Sequence, residues 1–332
     1  MYHTGVLLLQ LGTPASPDPT AVRRYLGEFL SDPMVVDLPR LIWLPILHGI
    51  ILRTRPKKSA RLYQKIWMEN GRSPLLHHSL SLVQELERRL DPGILLRLAM
   101  RYGQPGIEET LNEMHRQGVA RILVLPLFPQ YSGSTTGSAV VRVFELLRQL
   151  NPIPTVRIAQ PFYQHPGYIQ ALAERIHRHH PPHPERHYLF SFHGLPQRHV
   201  RRGDPYQRHC TTTATLLAQT LPLEPHQWTL TFQSRFGPEA WLTPNTADLL
   251  ATLPAQGKTD IAVICPGFVA DCLETLEEIS VAGRNTFIHH GGRTFGFVPC
   301  LNDAPSWLTA LTSIIHTELA GWHQGEGKGD RS

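Results

Sequence analysis

One histidine at the end of an apolar run raises the first chemical question. Residues 188 to 196 read Tyr-Leu-Phe-Ser-Phe-His-Gly-Leu-Pro. The run has strand composition and the Gly-Leu-Pro after it cannot continue a strand, so His193 is expected at a strand's carboxyl end, where the chain turns. In open α/β sheets that edge is where ligands bind. An imidazole there either bonds a carbonyl as an ordinary turn residue or does chemistry, and the local sequence leaves both open. A second group follows an apolar run at 260 to 265: Asp271-Cys272-Leu273-Glu274-Thr275-Leu276-Glu277-Glu278. If this stretch is helical, Asp271, Glu274 and Glu278 at i, i+3 and i+7 share one face. Acidic residues in a first helical turn are also favoured by the helix dipole and by capping alone. Position separates the two readings: His193 and this helix both follow strand ends in the same half of the chain, so they can converge on one crevice. An imidazole beside carboxylates binds a divalent metal transiently, or accepts and relays protons.

Other stretches offer chemistry with a plainer alternative beside it. The window 175 to 209 holds eight of the nineteen histidines and seven arginines. It reads either as a metal-collecting tract or, the preferred reading, as a basic helix end (Arg175, His177, Arg178, His179, His180) followed by a Pro-rich loop. Pro129-Gln130-Tyr131-Ser132-Gly133-Ser134-Thr135-Thr136-Gly137-Ser138 follows a strand and opens a helix. Its hydroxyls and backbone N–H groups suit an anion such as a ligand carboxylate, or simply cap the helix. Leu11-Gly12-Thr13-Pro14 is not a G-x-G-x-x-G loop and no Walker A sequence occurs, so a nucleotide cofactor has no support.

The elements that must position these groups follow from periodicity. Strand-like runs fall at 5–11, 94–100, 121–128, 154–159, 187–193, 228–234, 260–265 and 294–298. Helical patterns fall between them, at 19–30, 56–69, 74–90, 105–117, 135–150, 166–180, 204–220, 243–253, 271–282 and 305–321. The alternation predicts an α/β fold of βαβ units with a mainly parallel sheet. Arg-Tyr-Gly at 101–103 and Arg-Phe-Gly at 235–237 each close a strand before a helix, an echo that predicts two similar halves. The expected division is a first domain over 1–152 and a second over 153–304, with a linker in Asn151-Pro152-Ile153-Pro154 and the helix 305–321 packing back on the first half. The polar, Gly-rich tail 324–332 is expected to fray.

Composition narrows the partners. A chain of 332 residues with 41% hydrophobic content can bury two cores of ordinary size. A net charge of +5, without clusters of basic and aromatic residues, argues against nucleic acid. The N-terminus lacks an export pattern, and the four cysteines form neither a disulfide framework nor a C-x-x-C pair, so a reduced cytoplasm is expected. The most apolar segment, Leu41 to Leu52, is too short to span a bilayer and contains Pro45, His48 and Gly49. It reads either as a buried helix or as an exposed lip for a greasy ligand or a membrane surface, and the Arg53, Arg55, Lys57 and Lys58 that follow suit the second.

Taken together, several stretches resemble the ferrochelatase family. They are Leu-Leu-Leu-Gln-Leu-Gly-Thr-Pro (7–14), Ala-Val-Arg-Arg-Tyr-Leu-Gly-Glu-Phe-Leu-Ser-Asp-Pro (21–33), Arg-Tyr-Gly (101–103), Pro-Gln-Tyr-Ser (129–132), Ser-Phe-His-Gly-Leu-Pro (191–196), Phe-Gln-Ser-Arg-Phe-Gly (232–237) and 265–279. The resemblance implies two similar Rossmann-like domains, each a mainly parallel sheet flanked by helices, with a porphyrin cleft between them. It implies a lyase that inserts Fe2+ into protoporphyrin IX, with His193 and Glu274 as the catalytic and metal-binding pair. Asp271 and Glu278 would continue an acidic relay, and Ser73, Arg101 and Tyr131 would line the porphyrin pocket. The segment after Pro39 resembles the family's lip, and Tyr63 to Pro74 the element that closes the cleft. Some members carry an iron–sulfur cluster; here Gly133 stands where its first cysteine would be and the tail has none, so no such cluster and no resident cofactor are expected. The same residues also suit a non-catalytic porphyrin or metal carrier, or a chelatase for coproporphyrin or cobalt.

Overall fold

The computed structural model describes residues 3–322; the tail 324–332 lies outside the described residues. Strands form where the apolar runs predict them. β1 (Thr4–Gly12) is buried along nearly its whole length, the pattern of a central parallel strand covered on both faces. β2 (Ile94–Tyr102) and β3 (Arg121–Pro126) pair with it on either side, and β4 (Thr155–Ile158) pairs with β3, all parallel, in the order β2-β1-β3-β4. β5 (His187–His193), β6 (Trp228–Gln233), β7 (Asp260–Ile264) and β8 (Thr294–Val298) repeat the arrangement as β6-β5-β7-β8. Arg101 and Tyr102 of the first echo close β2, while the second, Arg235 to Gly237, follows the end of β6; β2 and β6 are the equivalent edge strands of the two sheets.

The expected division at 152 needs correcting. The Thr155 amide bonds the Ala120 carbonyl at 2.8 Å and β4 runs alongside β3, so residues 155–158 complete the first sheet. The chain at 151–154 is therefore a turn within the first half. The passage to the second sheet runs from Ala159 into the helix Pro166–His179.

The helix Pro305–Leu319 lies against Pro166–His179 and also against Pro74–Glu87. Its carboxyl end reaches the first sheet: Arg157 bonds the Glu318 and Ala320 carbonyls, and its guanidinium sits 4.6 Å over the Trp322 ring. One continuous core accordingly takes in Leu8 and Leu96 of the first sheet, Phe190 and Phe192 of the second, and Trp307 between them. Separate clusters cover the outer face of each sheet.

Between β1 and β2 the chain inserts helix Pro19–Ser31, then Arg40–Ile46, a π turn Leu47–Ile51 and Leu52–Ile66. The helix expected at 56–69 thus begins well upstream, joined through a π turn that follows Pro45 and contains Gly49, residues that disturb a regular ladder. Both readings of Leu41 to Leu52 hold in part. Leu47 and Leu52 pack with Leu30, whereas Leu41 is 93% exposed and Ile42, Ile46 and Ile50 are exposed beside it. Among the described residues no helix is long and apolar enough to cross a membrane.

Candidate active site

β5 delivers His193 as its last residue, in register with Gln233 of β6. Its Nδ1 lies 2.7 Å from the Gly194 carbonyl. A carbonyl only accepts, so Nδ1 is the donor, and in the neutral ring the lone pair is on Nε2. The turn reading is therefore seen directly, and the bond to the turn sets the tautomer. Tyr206 donates its hydroxyl to the His193 carbonyl at 3.0 Å. A side chain at position 194 would place its Cβ 2.6 Å from the Gln233 carbonyl, so glycine is required beside the histidine.

The acidic segment differs from the expected α-helix over 271–282. It is a π-helix over Glu274–Gly283, a rare form that is frequent at functional sites. Asp271 precedes it and is buried. Its carboxylate accepts from Thr275 Oγ1 at 3.0 Å, the Cys300 amide at 3.3 Å and Asn302 Nδ2 at 2.8 Å. Two of those donors, Cys300 and Asn302, tie Asp271 to the segment after β8, and the third ties it to the helix it precedes. Burial pushes the Glu278 carboxyl pKa up; the Ser234 hydroxyl and amide and the nearby His193 oppose this, while the charge of Glu274 adds to it. Glu278 thus lies within electrostatic reach of both His193 and Glu274 near the carboxyl edge of the second sheet.

The inserted helices pack against the acidic helix. Tyr25 and Tyr63 are buried close enough to Glu274 that its charge adds to burial in raising their hydroxyl pKa values. Leu273 packs with Val22, Ala60 and Tyr63, and Lys65 pairs with Glu277 at 2.7 Å. The Arg55 guanidinium lies 4.1 Å over the Phe236 ring, and Asp37 pairs with Arg202. Asp37, Arg55 and Lys65 thus tie the inserted segment to stretches that follow strands of the second sheet.

The remaining candidates have identifiable partners. Ser73 is buried and caps the helix Pro74–Glu87, accepting the Leu76 amide at 3.2 Å. Arg101 bonds Asp32 at 2.6 Å and Ser138 at 2.8 Å. Burial opposes ionisation of Asp32, but donors from Ser138, the Met34 amide, Tyr102 and Arg101 hold its pKa below the usual carboxylate value. Tyr131 gives its amide to His209 Nδ1 at 3.2 Å and lines a recess of about 320 Å³ with Met34, Thr136 and Val140. Of the two readings of 129–138, capping is seen, with Ser132 Oγ accepting the Ser134 amide at 3.3 Å, and the carboxylate that meets this segment is the protein's own: Asp204 accepts the Gly133 amide at 2.8 Å and the Ser132 hydroxyl at 3.3 Å.

The histidines of 175–209 disperse, and His187 is buried against Thr229 and Lys258. Among the described residues no three His, Cys, Asp or Glu side chains are grouped to hold a metal ion. All four cysteines are buried and unpaired. Gln233 and Ser234, which contact the acidic helix directly, were not singled out by sequence reasoning. Their signal was present as a polar pair closing an apolar strand inside the Arg-aromatic-Gly echo.

Comparison with known proteins places this geometry. The sequence profile of the ferrochelatase family matches residues 3–319. The chain is 47% identical to a ferrochelatase of Neisseria meningitidis over 96% of its own length and 95% of that protein's. It is 48% identical to Ferrochelatase 1 of Shewanella oneidensis, over 97% and 98%. Among solved structures, SirB from Bacillus subtilis with Fe3+ superposes with a TM-score of 0.61 at 12% identity, covering 96% of both chains. The sirohydrochlorin chelatase SirB in complex with cobalt gives 0.58, covering 98% of both. At that identity the structures speak for a shared chelatase-like fold of paired α/β halves. The sequence matches go further, and the chain belongs to the ferrochelatase family.

Proposed function

We propose that this protein inserts ferrous iron into protoporphyrin IX to form protohaem, with Fe2+ entering as substrate and no resident cofactor. The observation that supports this most is the meeting of His193, Glu274 and Glu278 at one sheet edge in a chain of this family. Metallation must remove two pyrrole protons, strip water from the ion and expose nitrogen lone pairs that a flat macrocycle hides. Apolar walls with a few polar anchors suit the macrocycle, and a cleft that favours its bent form binds it as the transition state requires. His193, with Nδ1 committed to Gly194, presents Nε2 as proton acceptor, iron ligand or both in turn. Glu274 carries metal inward or protons outward, with Glu278 next in line; the site must hold iron weakly enough to release it to the ring. Asp271 serves this relay by anchoring the start of the helix. The exposed Leu41, Ile42, Ile46 and Ile50, followed by Arg53, Lys57 and Lys58, suit peripheral contact with a membrane surface from the cytoplasm.

The decisive experiment compares protoporphyrin and coproporphyrin with anaerobic Fe2+, following loss of porphyrin fluorescence. Faster loss with protoporphyrin is expected; preference for coproporphyrin, or for cobalt over iron, would reassign the substrate. Tight haem binding without turnover would make the protein a carrier. His193→Ala should abolish chelation and retain porphyrin binding, and full turnover in that variant would remove His193 from the mechanism. Glu274→Gln should lower turnover strongly with an unchanged circular dichroism spectrum.

A further inference from the structure

Two residues closing β6 hold the acidic helix to the histidine strand at two points. Gln233, opposite His193 in the register, is 1% exposed. Its side-chain Oε1 accepts from Ser191 Oγ at 2.7 Å and from Cys265 Sγ at 3.4 Å, and its Nε2 donates to the Glu274 carbonyl at 2.8 Å. Its backbone carbonyl accepts the Gly194 amide at 2.7 Å. One buried side chain therefore joins the histidine strand, the end of β7 and the first residue of the acidic helix. Ser234 supplies the second point, donating its amide at 2.7 Å and its hydroxyl at 2.5 Å to the Glu278 carboxylate. To do so it adopts φ +63°, a left-handed conformation that is unfavourable for any residue but glycine. Glycine would relieve that strain and would still present the amide. What serine adds is the hydroxyl.

We propose that Gln233 and Ser234 are positioning residues for metal insertion: they set Glu274 and Glu278 against His193, so that ion or proton passes over a fixed gap. The proposal rests on the chelatase reading. The two residues act through the carboxylates and the helix, not on the porphyrin. A π-helix is a rare form that its surroundings must hold, and the two anchors, at residues 274 and 278, span its first turn.

Ser234→Gly removes the hydroxyl and relieves the backbone. Its expected signature is a melting temperature equal to or above that of the parent, kcat lowered roughly tenfold, and an unchanged KM for protoporphyrin. Gln233→Met keeps the volume and loses the donor; the same separation of kcat from KM is expected, with faster amide hydrogen exchange confined to 274–283. An unchanged kcat in both variants overturns the proposal. So does a fall in kcat that tracks a fall in melting temperature in both, which would mark a scaffold role only. If the parent protein metallates no porphyrin, the chelatase reading fails separately. Hydrogen exchange still tests the clamp in that case, and unaltered protection of 274–283 in both variants overturns it.

Discussion

At the scale of single residues, neighbours decide what a side chain can do. His193 and His187 share a strand and differ completely. His193 sits at the strand's end with one nitrogen tied to a carbonyl, while His187 is 3% exposed, its Nδ1 lying 3.0 Å from the His226 carbonyl and 2.9 Å from Lys258 Nζ and its Nε2 2.9 Å from Thr229 Oγ1. Burial first, then the Lys258 charge, pushes the His187 pKa down from 6.5 to about 4. The neutral form is the one the fold accepts, so its contribution is complete above about pH 6.5 and is lost as pH falls toward about 4. Urea unfolding should therefore show about 2 kcal/mol less stability from this group at pH 5 than at pH 7.5. His187→Gln, which stays neutral, should remove that part of the slope; an unaltered slope would mean that His187 is not the titrating group.

At the scale of elements, the lip is where periodicity and structure part. A π turn joins two helical pieces there, so the apolar stripe changes face partway: Leu47 and Leu52 go into the core and Leu41, Ile42 and Ile50 go outward. No single helical period describes such a segment. The proposed membrane contact belongs to this element. Sedimentation with anionic liposomes should carry down the parent protein, and the double change Leu41→Lys, Ile42→Lys should leave it in the supernatant. Because these side chains are exposed, the melting temperature should move little. Equal sedimentation of both proteins would exclude the lip as the contact.

At the scale of the whole molecule, the two sheets repeat one topology but do not keep separate cores. Trp307, fully buried on the C-terminal helix, stands at 5.5 Å from the Phe162 ring and 6.1 Å from the Tyr168 ring, inside the cluster that spans both sheets. Trp307→Ala should destabilise by about 3–5 kcal/mol. Because the core is shared, both halves should lose stability together, as one calorimetric transition at lower temperature. Two separated transitions, with only one shifted, would show that the halves fold independently. The continuity also bears on the site, since His193 and the acidic helix come from one half and Tyr25, Tyr63 and Lys65 from the other.

The α/β class, the parallel strands, the duplication and the strand-end position of His193 were all legible in the amino-acid sequence. Each is a consequence of local pattern: which residues alternate, which run continuously apolar, and where glycine and proline stop them. The candidacy of Glu274 and Glu278 came from the same kind of pattern, their spacing along one segment. Hydrogen-bond partners distant in sequence decided the rest. Asp271 is held by Asn302 and the Cys300 amide, Asp204 accepts the Gly133 amide, and residues 155–158 joined the first sheet through β3. A carboxylate's periodicity says which way it points along its own helix. Only the tertiary structure decides which donors meet it there, and the donors here come from segments tens of residues away.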